Sequence, residues 1–236
     1  MRKFWFGLAF LGLAVMAAWA LRPGLSPPLP RELARLRAAT PPGMVLVPAG
    51  EFWMGSDDPK ADEEVRPMRR VRVASFYIDL HEVTNAQVKA VRPEHAFPPG
   101  RENDPATGLT REEAETVLTT LGKRLPTFAE WEKAARGTDG RTFPWGNEWD
   151  ATRANVGGYT GQDEETCQTL GLKPVDSYPS GASPYGCLNM IGNAWEWVSD
   201  DHPGPPVRHI IRGGAFGYPD RHNRTYAFSL EEVGVT

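Results

Sequence analysis

Two cysteines, five histidines and a polar segment late in the chain hold most of what could do chemistry in these 236 residues. Cys167 and Cys187 can pair as a disulfide in an oxidising compartment or stand as two separate buried thiols. His202, His209 and His222 fall in the same C-terminal third, and imidazoles bind iron, copper or zinc. Their irregular spacing points instead to exposed or structural histidines. No nucleophile elbow and no phosphate-cradling glycine loop occurs anywhere.

The elements that must position these groups are short. Hydrophobic residues at 40% and charged residues at 24% describe a globular chain and exclude a disordered or fibrous one. Twenty-four glycines and 22 prolines beside eight tryptophans predict a loop-rich fold, in which tight turns carry the path and indoles fill the core. A net charge of −4 leaves no basic footprint for a phosphate backbone, so nucleic acid is not expected as a partner. Arg2 and Lys3 precede an apolar run over residues 4–21, which reads as an export leader with Ala18-Trp19-Ala20 as a cleavage site. The run is also just long enough to serve as an uncleaved membrane anchor, the one expected contact with a membrane. Either reading places the protein in the periplasm or outside the cell.

Residues 22–42 read as a Pro-rich linker with a short helix over 31–37, and residues 43–236 as one domain. Within it, 44–48 and 50–55 read as two short strands joined by a turn, 57–72 as a charged loop, and 71–80 as one further strand. Thr84, Thr110 and Thr127 sit where a helix N-cap belongs, with Glu113 and Glu130 three residues beyond the last two. Gly122 and Gly137 mark the ends of the corresponding helices. Residues 207–212 read as a late strand. Trp131, Trp145, Trp195 and Trp197 read as core or turn anchors, and Arg124 with Glu130 as a structural ion pair.

Gly122-Lys123-Arg124-Leu125-Pro126-Thr127, followed by Ala129-Glu130-Trp131-Glu132 and Ala134-Ala135-Arg136-Gly137, resembles a signature of the formylglycine-generating enzyme (sulfatase-modifying factor) family. Further blocks agree in the same order: Glu82-Val83-Thr84-Asn85, Pro144-Trp145-Gly146-Asn147, Gly192-Asn193-Ala194-Trp195-Glu196-Trp197 and Arg212-Gly213-Gly214. Together they cover the chain from about Met44 onward. The resemblance implies an irregular, loop-rich α+β fold related to C-type lectins.

It also implies a calcium site at Asn189, Gly192, Ala194 and Glu196, where an amide oxygen, two backbone carbonyls and a carboxylate would converge as an all-oxygen set. Asn155 and Val156 match the start of a second such site, whose later carboxylate position falls near Cys167. The resembled enzymes oxidise a substrate cysteine to formylglycine with copper held by two thiolates. Those positions fall near Asn223 and Phe228, and neither is cysteine. Since soft thiolates are what suit copper(I), copper is not expected and no catalytic residue is assigned. The reading that follows is an exported, non-catalytic, calcium-braced binding or accessory module for a peptide or protein, held by loops 200–206 and 215–224. The alternative is an oxidoreductase of the family with an altered metal site.

Overall fold

The computed structural model describes residues 8–9, 13–14, 30–156, 171–218 and 222–232. In chain order the elements are β1 (Leu8–Ala9), β2 (Leu13–Ala14), α1 (Pro30–Ala38), β3 (Met44–Val47), β4 (Gly50–Met54), β5 (Arg69–Val73) and β6 (Phe76–Asp79). There follow α2 (Asn85–Val91), α3 (Arg111–Thr120), β7 (Lys123–Arg124), α4 (Phe128–Arg136), β8 (Trp195–His202), β9 (Arg208–Arg212) and β10 (Phe228–Glu232). Among the described residues the longest helix has ten residues, and turns and bends dominate between α4 and β8. This is the irregular α+β arrangement expected from the glycine, proline and tryptophan content. Among the described residues no helix is long and apolar enough to cross a membrane.

The helix starts are dictated locally. Thr84, Thr110 and Thr127 each accept the backbone N–H three residues on, and the side chain there (Gln87, Glu113, Glu130) returns to the threonine's own N–H. Each reciprocal pair satisfies two donors that a helix start leaves orphaned. Arg124 closes on Glu130 through two parallel bonds of 2.8 Å, as the sequence predicts.

Strand pairing goes beyond what the sequence was read for, and one strand needs correction. The two strands at 44–47 and 50–54 do not pair with each other: β3 pairs with β6 and β4 with β5. The stretch over 71–80 is two strands rather than one, and the end of the charged loop belongs to β5. The break falls at Ala74-Ser75, where Ser75 Oγ accepts the N–H of Ala49 at 2.8 Å and ties the two crossing points together. Each short strand thereby finds a partner from a different ribbon.

Of the two remaining sheets, one is the antiparallel pair β2-β7 and the larger has the order β1-β8-β9-β10, with β8, β9 and β10 antiparallel and β1 parallel to β8. Alternation along β8 sends successive side chains to opposite faces. Trp195 and Trp197 enter one apolar cluster with Val88, Leu118 and Ile211, while Val198 joins Phe52, Ile78, Trp131 and Ala135 in the other. Glu196 lies between the two tryptophans in sequence and therefore points with Val198 toward α4.

Candidate metal centre

The turn preceding β8 is held in an unusual backbone form. Asn189 and Asn193, at φ 52° and 58°, are the only non-glycine residues with positive φ among the described residues. Gly192 between them has φ 79°, and a Cβ there would lie 2.6 Å from the Asn155 carbonyl oxygen. Only glycine fits both the dihedral and the approach. Two backbone bonds of 2.8 Å fix the turn, from Gly192 N to Gly213 O and from Asn193 N to Asn155 O.

That backbone aims specific oxygens. Asn189 Nδ2 donates to Glu82 Oε2 at 2.9 Å and to Val175 O at 2.8 Å, which fixes the amide so that Oδ1 points the other way. Glu196 Oε2 accepts the indole N–H of Trp131 at 2.6 Å. Asn189 Oδ1 and Glu196 Oε1 are both buried and receive no donor. A buried acceptor left unpaired costs about 1–3 kcal/mol, more when charged, so two in one segment require an explanation. Glu82 and Glu196 are both fully buried. Burial, and after it the neighbouring Glu82, pushes Glu196 well above the usual carboxylate range. Burial also pushes Glu82 up to about 7, against the hydrogen bonds from Asn189 and Asn193. The orphaned oxygens of Asn189 and Glu196, with the carbonyls of Gly192 and Ala194 on the turn between them, are donors of the all-oxygen kind that a hard cation takes. The residues present fit calcium.

A family model described as "Sulfatase-modifying factor enzyme 1-like domain" matches residues 30–233. The chain belongs to this family. It is 33% identical to the formylglycine-generating enzyme of Bos taurus over 70% of this chain and 59% of that protein. It is 28% identical to inactive C-alpha-formylglycine-generating enzyme 2 of Mus musculus, over 91% of this chain and 85% of that one. Among solved structures, PvdO from Pseudomonas aeruginosa superposes with a TM-score of 0.63 at 25% identity, covering 81% of this chain and 88% of that one. The chain spans 59–60% of the length of the first mammalian enzymes it matches.

The other positions singled out from sequence fare differently within this sulfatase-modifying factor domain. Asn155 packs against Gly192, but its amide nitrogen is taken by Gly171 O at 3.0 Å and Asn193 Oδ1 at 2.9 Å. Val156 is half-buried against Phe143, Ala154 and Ile191. The later residues of that second candidate set lie outside the described residues. So does Cys167; Cys187 is fully buried, and as a thiol it is pushed up to about 12 by that burial.

The two positions expected for thiolates hold an amide and a phenyl group. Asn223 is buried beneath Gly214, and Phe228 opposes Arg212 across β9 and β10 with its ring 5.8 Å from that of Phe128. The three histidines are dispersed. His209 Nδ1 lies 2.7 Å from Asp201 Oδ1, His202 stacks over Phe228, and His222 meets the edge of Trp195. Among the described residues no group of three or more His, Cys, Asp or Glu side chains could hold a metal.

Three residues that serve this centre escaped the sequence reading. Glu82 and Asn193 were visible only as members of matching blocks, and Trp131 only as a core anchor. Nothing in the local spacing of Glu82 or Trp131 connects them to a turn 107 and 65 residues away, and Asn193 lies on that turn with its role set by Glu82. Beside the centre lies a second buried polar set, Glu132, Arg136 and Arg212, each at most 1% exposed. Glu132 Oε1 accepts from Gly55 N at 2.7 Å and Arg136 Nη1 at 2.8 Å, and its Oε2 accepts from Arg212 Nη2 at 2.9 Å.

Proposed function

We propose that this chain is an exported, non-catalytic member of the sulfatase-modifying factor family, a binding or accessory module braced by one calcium ion. The observation that carries the reading is the pair of buried acceptors without donors, Asn189 Oδ1 and Glu196 Oε1, on the turn whose Gly192 and Ala194 carbonyls complete an all-oxygen set. Amide and phenyl groups at Asn223 and Phe228 support a non-catalytic role, since neither replaces a soft thiolate for copper(I). A relative named as inactive over 91% of this chain supports the same view. Export rests on Arg2, Lys3 and the apolar run over residues 4–21. The ligand is a peptide or protein, received by the end of β8 with the turn after it (residues 200–206) and by the segment 215–224.

The test is metal analysis of the purified full chain together with thermal melts in calcium and in chelator. We expect close to one equivalent of calcium and no stoichiometric copper or iron. Calcium at 100 times its dissociation constant should add about 2.7 kcal/mol to folding stability. A melt indifferent to chelator removes the calcium reading. Stoichiometric copper with aldehyde formation on a cysteine-containing sulfatase-type peptide replaces the whole proposal with the oxidoreductase alternative.

A further inference from the structure

Glu82 is fully buried and faces the turn without offering it a free oxygen. Its Oε2 accepts from Asn189 Nδ2 at 2.9 Å and its Oε1 from Asn193 Nδ2 at 2.8 Å. The two amides it holds belong to the only two non-glycine residues with positive φ among the described residues. L-residues occupy that region at a cost, so something must hold both in place. We propose that Glu82 is the positioning residue of the cation centre: its carboxylate turns the Asn189 amide so that oxygen, rather than nitrogen, faces the ion. This rests on the calcium reading above.

The geometry makes the two asparagines unequal. Asn193 is locked from both ends, because its Oδ1 accepts from Asn155 Nδ2 at 2.9 Å and from Lys173 N at 3.0 Å. Asn189 Oδ1 has no protein donor. Only its Nδ2 contacts, to Glu82 and Val175, decide which way that amide points. The substitution Glu82→Gln leaves one acceptor and puts an NH2 group in place of the other. The remaining carbonyl must serve Asn193, which cannot turn without breaking two bonds, so the new NH2 meets the Asn189 NH2. Two donors cannot face each other in a buried site. Turning Asn189 over to relieve that clash forfeits its bond to Val175 O and points its nitrogen where the cation requires oxygen; held unturned, the clash pushes the amide off its aim. Exchanging the roles of the pair should repair part of this: with Asn189→Asp added, the new carboxylate accepts from that NH2 and keeps its second oxygen toward the ion, at the cost of the donor to Val175 O.

The experiment is calcium titration calorimetry on the full-length protein, with melts in chelator, for wild type, Glu82→Gln and the double variant Glu82→Gln/Asn189→Asp. Loss of a group that orients a metal ligand typically costs about 10–100-fold in affinity, and that is the fall expected for Glu82→Gln. Its melt in chelator should not fall below that of wild type, because a buried carboxylate has been made neutral. The double variant should regain a measurable part of the lost affinity, short of wild type because Val175 O is left without its donor. Glu82→Gln binding within about twofold of wild type overturns the proposal. So does a double variant no better than the single one, or a chelator melt depressed in Glu82→Gln, which would make Glu82 a packing group. A wild-type protein that takes up no calcium removes the calcium reading itself, and a wild type that binds while the variants fail to separate removes only the role of Glu82.

Discussion

Replacing Glu132 by glutamine removes one negative charge from between two buried arginines and changes almost nothing in shape. The glutamine carbonyl can still accept from Gly55 N and Arg136 Nη1. Its NH2 would face Arg212 Nη2, which in the native protein donates to Glu132 Oε2 at 2.9 Å. Arg212 Nε and Nη1 already have no hydrogen-bond partner, so only the Thr225 carbonyl at 2.8 Å would remain to it. The guanidinium lies 3.9 Å from the centre of the Phe128 ring and 4.7 Å from that of Trp131, fully buried, and it cannot escape by losing a proton. Cation–π contact, about 2 kcal/mol or more for a desolvated pair, is present before and after the substitution and so does not change the difference. Breaking a buried ion pair by removing one partner costs about 3–5 kcal/mol, and this is the predicted loss. For a domain of this size that is a fall of roughly 6–20 °C in melting temperature. Urea unfolding followed by fluorescence of the buried Trp131 and Trp195 reads it as a lower midpoint at unchanged slope. A loss below about 1 kcal/mol would refute the reasoning, because Glu132 would then contribute no more than one ordinary hydrogen bond.

Two further outcomes follow from the metal centre. In chelator, Glu82 titrates near 7 in the folded protein against an ordinary 4.5, so the folded state resists ionisation that the unfolded state accepts. Stability from this group is complete below about pH 4.5 and lost as pH rises through 7, a decline of order 3 kcal/mol by pH 8 that melts across pH should show. Saturating calcium should flatten that decline, and a melt that rises from pH 5 to 8 in chelator contradicts the assignment. Gly192→Ala puts a Cβ 2.6 Å from the Asn155 carbonyl oxygen, so the turn must shift. Stability should drop by about 1–3 kcal/mol and calorimetric calcium uptake should vanish with it.

Sequence was most informative wherever the governing physics is local. The capping boxes at Thr84, Thr110 and Thr127 involve residues three apart, so the helix starts and the Arg124–Glu130 pair are visible in the one-dimensional chain. Gly192 could be recognised as a turn glycine, and the oxygen-rich composition of 189–196 could be matched to a ligand set. Strand pairing was not legible. The apolar residues over 71–80 continue in register across Ala74-Ser75, and only the separate partners β4 and β3 reveal two strands. β8 escaped because Trp195, Trp197 and Val198 are buried on both faces, which erases the alternation that marks a half-exposed strand.

By itself, then, the sequence determined the family, the loop-rich α+β class, the absence of cysteine at the two thiolate positions and the oxygen donors of one turn. Tertiary structure decided what those donors do. Glu82 stands 107 residues from Asn189 and Trp131 stands 65 from Glu196, yet the first fixes which way the amide is turned and the second which carboxylate oxygen is engaged. The two ends of an amide or a carboxylate are alike in shape, and only their hydrogen bonds decide which way the group is turned. Those bonds are supplied by partners that only the folded chain brings within reach.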